Sequence, residues 1–163
     1  MSVLDDFVKI VQDYPKTNVV LSIVERTAVA PPNGTAVNTD DTWSFRVRIE
    51  NKGHLNMTGV LLHIAGLNGA LVSRSETGAW LNTIVVGGPS VGLVGGLTIN
   101  CHDDPVETQK LYFKAPSAVK PAGTALVRVH IGAFDANLND ILRHHTGHSD
   151  PPSATYSDQV FPR

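Results

Sequence analysis

Cysteine is almost missing from this chain. Cys101 is the only one in 163 residues, so no intrachain disulfide can form and the fold must rest on its core. A chain of this length buries roughly two-thirds of its unfolded surface, enough to fold without a bridge or a metal. An excess of one charge is also missing, with 13 basic side chains against 15 acidic ones. The longest basic cluster, Arg143-His144-His145, is too small to carry phosphate affinity alone, so no nucleic-acid partner is expected. No apolar run approaches the ~18 residues that a bilayer-crossing helix requires, so no membrane insertion is expected. The first residues lack a basic region followed by an apolar one, and no secretory signal is expected. The compartment stays unknown on these grounds: virion or cytoplasm, or an extracellular surface if a leader has been removed.

What the chain has in abundance is period-two alternation separated by turn residues, among them 14 Gly and 10 Pro. Trp43, Phe45, Val47 and Ile49 alternate with Ser44, Arg46, Arg48 and Glu50, which puts the bulky residues on one face of a strand. Asn51-Lys52-Gly53 ends that strand with residues that tolerate positive φ. Val60, Leu62 and Ile64 then resume the alternation, so the two runs read as a half-buried antiparallel pair. Val19, Leu21 and Ile23 start an earlier strand, and Ala125, Val127, Val129 and Ile131 form the last clear one. Segments around 70–73, 80–86, 97–99 and 108–114 supply the others, for about seven or eight strands in all. The expectation is a single all-β domain over 1–163, an antiparallel β-sandwich with its strands in residues 17–132.

The two ends read differently. Residues 2–14 have a capping Ser2, acidic Asp5 and Asp6 in the first turn, and Pro15 as a stop, the pattern of a short helix. Leu4, Phe7, Val8 and Val11 make one apolar stripe on it. So short a helix is marginal alone, so the stripe must dock on its own sandwich or on a protein partner. Asp135 to His145 reads as a short helix or turn with Leu138, Ile141 and Leu142 on its apolar side. From Thr146 the composition is polar and carries Pro151, Pro152 and Pro162, so an extended C-terminal arm is expected.

The stretch Trp43 to Gly66, with Phe45-Arg46-Val47-Arg48-Ile49-Glu50-Asn51-Lys52-Gly53 and Met57-Thr58-Gly59-Val60, resembles bacterial Ig-like domains of the CARDB type, which are cell-adhesion-related modules. Pro121-Ala122-Gly123-Thr124 before a Val-rich strand is similar to that family's final hairpin. The resemblance covers about residues 17–132 and implies an Ig-like sandwich. It transfers no catalytic residues.

Candidate chemistry is sparse. His144, His145 and His148 are the candidate metal ligands, since His144 and His148 would share a helix face. Gly147 between them and the lack of a Glu after the first His depart from the zincin pattern. Cys101-His102-Asp103-Asp104 could hold a soft metal or arm a nucleophile, and Asp103 with Asp104 could join a calcium site. Neighbours on a strand point to opposite faces, however, which separates Cys101 from His102. Gly88-Pro89-Ser90-Val91-Gly92 matches a nucleophile elbow in spacing but lacks the strand-to-helix context. The five glycines of residues 87–96 lack the lysine of a phosphate loop. His54, His63 and His130 are surface candidates; His63 and His130 would meet if their strands were neighbours. Among Trp43, Trp80 and Tyr112, Trp80 is the aromatic best suited to stack on a carbohydrate ring.

Taken together these features point to a non-enzymatic structural or interaction module, without a cofactor, that assembles through its ends with identical copies or a larger assembly. A virion decoration or coat-associated protein, or a surface-assembly subunit, fits that pattern. A carbohydrate- or ligand-binding module is the alternative reading, and a metal-dependent enzyme built on the C-terminal histidines is the third.

Overall fold

The computed structural model describes residues 18–29, 35–87, 96–101, 104–133, 135–143 and 152–163. Among these the chain is all-β apart from one short helix. The strands are β1 (Val19–Ala28), β2 (Val37–Asn38), β3 (Thr42–Asn51), β4 (Met57–Gly66), β5 (Leu71–Ser73) and β6 (Thr83–Val86). They continue as β7 (Leu97–Ile99), β8 (Val106–Glu107), β9 (Leu111–Lys114), β10 (Lys120–Ala133) and β11 (Ser153–Phe161), with α1 (Ala136–Arg143) before the last. Two sheets result. One runs β1-β3-β9-β5 with β8 also on β3; the other runs β2-β11-β10-β4-β6 with β7 also on β4. All pairs are antiparallel except β11 with β2, which is parallel, so the second sheet is mixed.

The alternation does what its period requires. Trp43, Phe45, Val47 and Ile49 of β3 are buried, as are Val60, Leu62 and Ile64 of β4. They join Phe113, Leu126, Val129, Ile131 and Val160 in a single cluster that draws on both sheets. Those two runs do not pair with each other, contrary to the sequence expectation. β3 bonds to β1, β8 and β9, whereas β4 bonds to β10, β6 and β7, so the connection crosses from one sheet to the other. Asn51 explains the crossing. Its Nδ2 donates to the carbonyls of Leu55 (2.8 Å) and Ile99 (3.1 Å), and its Oδ1 accepts the Gly53 N–H (3.0 Å). A side chain thus closes the turn and ties it to β7, without positive φ at residues 51–53. The left-handed backbone falls instead at Gly59 and Gly96, where a Cβ on Gly96 would sit 2.5 Å from Gly59 backbone.

β8 and β9 are two halves of one broken strand along β3. Between them Thr108 exchanges bonds with Val47: its N–H donates to the Val47 carbonyl, and its Oγ1 accepts the Val47 N–H. The two pieces, like β6 and β7 along β4, raise the number of strands above the seven or eight expected.

Within the expected C-terminal arm, the described residues 152–163 form a sheet strand and its end. Ser153–Phe161 pairs along β10 and buries Val160 completely. Ala154, Tyr156 and Val160 sit at the even spacing a strand needs, scattered among polar neighbours that disguise it. The chain end is fastened as well: Thr39 N–H donates to Phe161 O, Asn38 Nδ2 to Pro162 O, and Arg163 pairs with buried Asp41 at 3.3 Å. In α1, Asp135 Oδ1 accepts the Leu138 N–H (2.9 Å), a side-chain cap, and Leu142 is buried. The N-terminal stripe of Leu4, Phe7, Val8 and Val11 lies outside the described residues.

Candidate functional site

β4 and β10 pair in a register that sets His63 directly opposite His130. Leu62, Ile64, Val129 and Ile131 on either side point into the core, so both imidazoles project from the outer face of the six-stranded sheet. The rings stack nearly parallel, 8° apart, with centroids 4.9 Å from one another. Val85 of β6 faces His63 and Ser153 of β11 faces His130, so the pair sits mid-sheet and not at an edge. Arg128 lies two residues along β10, on the same face and exposed. Partial burial, then the nearby His63 and Arg128, push the His130 pKa below the ordinary imidazole value. A neutral imidazole offers one N–H donor and one lone pair, so the two rings present hydrogen-bonding or ligating nitrogens side by side. The alternation predicted that the two would meet if their strands paired, and the register pairs them.

A second cluster lies between the sheets. β1 has an irregularity between Val24 and Thr27, with Glu25 in left-handed backbone (φ 53°). The extra residue reverses the strand's parity: Val19, Leu21 and Ile23 face inward before it, whereas Arg26 and Ala28 do so after it. Arg26 therefore lies between the rings of Trp43 (4.5 Å) and Tyr156 (4.8 Å), with Phe113 stacked on Trp43. Glu25 turns outward to Arg46 (2.9 Å). Burial, and then the hydrogen bond to Asp158, keep the Tyr156 hydroxyl protonated well above its usual range. Among the described residues, Arg26 Nη1 and Trp43 Nε1 are buried with no hydrogen-bond partner. Sequence reading missed Arg26, because a single-residue bulge leaves no period-two signature.

The other candidates are dispersed. Trp80 is half-buried in the connection from β5 to β6, packed near Gly78 and close in sequence to exposed Ser75, Glu76 and Thr77. Trp43 is a core residue, and Tyr112 faces outward, half-buried, on β9. Cys101 follows β7, and one oxygen, Asn56 Oδ1, takes both its N–H and its thiol at 2.9 Å. Asp104 is exposed, while His102 and Asp103 lie outside the described residues. So do Ser90 and the candidate metal ligands His144, His145 and His148. Among the described residues no group of three or more His, Cys, Asp or Glu side chains gathers as a metal site would. No family model matches the chain, and no curated protein sequence is detectably similar to it.

Proposed function

We propose that the chain is a non-enzymatic, Ig-like β-sandwich module, of the kind the CARDB-type resemblance implies, that works by assembling with identical copies. The observation that carries this reading is the free edge of β1. One side of its ten residues bonds to β3, and no strand among the described residues bonds to the other. Lys52 N–H donates to Asn18 O, so by antiparallel alternation Val20, Ser22 and Val24 direct their backbone groups at β3. Val19, Leu21 and Ile23 then present theirs at the edge, a template for strand addition that ends where the bulge begins. Exposed Val20 lies beside it. The apolar stripe of Leu4, Phe7, Val8 and Val11 would supply further contacts from the N-terminal side. The C-terminal strand belongs to the scaffold under this reading, so trimming it is no test of assembly.

Light scattering coupled to size exclusion, on the full chain at about 100 μM, tests the proposal. A defined oligomer is expected, falling to monomer in Val20→Lys with Ser22→Lys, which sets like charges opposite each other across a two-fold pair of edges. Phe7→Asp should weaken it in the same direction. A wild-type monomer at that concentration sinks the reading.

The half-exposed Trp80 among polar loop residues favours carbohydrate binding as a second reading. Quenching or a blue shift of tryptophan fluorescence on adding oligosaccharides, lost in Trp80→Ala, would support it; an unchanged spectrum would remove it.

A further inference from the structure

We propose that His63 and His130 form a two-nitrogen chelate for a divalent transition-metal ion of the zinc, nickel and copper class. The site lies on the outer face of the six-stranded sheet and is independent of the assembly reading. Three features carry it. The cross-strand register fixes both ligands on one face, anchored by buried neighbours on each side, so little freedom is lost on binding. The rings already lie 4.9 Å apart and nearly parallel. Nitrogens bound about 2.0–2.1 Å from a tetrahedral ion lie roughly 3.4 Å from each other, so tipping the two ring edges together completes the chelate. The chemistry of the donors then selects the ion: imidazole pairs suit borderline ions, whereas magnesium and calcium require oxygen. Water fills the remaining positions.

Arg128 opposes the ion. Its exposed guanidinium stands on the same face two residues from His130, and its charge repels a bound cation. Removing that charge should tighten binding, an effect that a merely structural role for the histidines does not produce.

Titration calorimetry with Cu²⁺, Ni²⁺ and Zn²⁺ tests the site on the full chain. His144, His145 and His148 are changed to Gln throughout, so that the tail histidines do not contribute. One ion per chain is expected. His63→Gln or His130→Gln should each weaken affinity by on the order of tenfold or more, since the second ligand binds intramolecularly. Arg128→Gln should tighten it roughly threefold at low salt. The Cu²⁺ paramagnetic resonance spectrum should report two equivalent nitrogen ligands. Identical isotherms with and without the two histidines overturn the proposal, as does a spectrum with one nitrogen. If the histidine variants fail to fold, the Arg128→Gln shift and the spectrum of the intact pair still decide.

Discussion

Thr108→Val should destabilise the fold by about 2 kcal/mol even though it makes a buried site more apolar. Thr108 is 1 % exposed at the break between β8 and β9. Its hydroxyl accepts the Val47 N–H (3.1 Å) and donates to the Gln109 carbonyl (2.9 Å), replacing the ladder bonds that the break removes. Valine has the same shape and no acceptor, so a backbone N–H in a fully buried residue loses its partner. An unpaired buried group costs about 1–3 kcal/mol, and the carbonyl adds to this. The extra methyl returns about 1 kcal/mol of transfer energy, which leaves about 2 kcal/mol lost. Thr108→Ser keeps both bonds and gives up one methyl, for about 1 kcal/mol. The expected order of stability is therefore Thr, Ser, Val, the reverse of what hydrophobicity gives for the two variants. Urea unfolding reads it directly: with m near 2 kcal/mol/M, the valine midpoint falls by about 1 M at unchanged slope. A valine variant as stable as wild type, with the serine variant below it, would refute the reasoning.

Gly96→Ala should cost about 2–3 kcal/mol, read as a lower Tm, because its φ of 77° is left-handed and the new Cβ meets Gly59 backbone at 2.5 Å. His130 should make stability pH-dependent in metal-free buffer containing EDTA. Its folded pKa lies below the unfolded value of 6.5, through burial first and then His63 and Arg128. Its stabilising contribution is therefore fully present above pH 6.5 and is lost as pH falls through the folded pKa. His130→Gln should flatten the decline in unfolding midpoint between pH 7 and 5; an unchanged profile would remove His130 as the cause.

The strands with strict alternation were legible because their faces differ in polarity at every residue. β3, β4 and β10 from Val127 onward follow their patterns, whereas a register shift between Ala125 and Val127 sends Leu126, not Ala125, into the core. The helix capped by Asp135 lies within the stretch that reads as a short helix or turn. β11 was hidden because its inward positions include Asp158 beside Tyr156, and polar residues at such positions imitate a tail. Of the site, the polar-face placement of His63 and His130 was readable, whereas their pairing was not. Nothing in either segment states which strand will lie next to it.

Local order along the chain thus came from the sequence: a bridge-free all-β fold, the core residues of β3 and β4, and imidazoles on outward faces. Those features depend on side-chain period and hydrophobicity, which act over a few residues. Tertiary structure alone decided that β3 and β4 belong to different sheets, that Arg26 turns inward between Trp43 and Tyr156, and that the C-terminus closes a sheet. It also set His63 against His130. Each of these rests on a contact between residues far apart in the chain, or on a one-residue bulge that shifts parity. Register and strand order follow from the packing of the whole core, which no local pattern encodes.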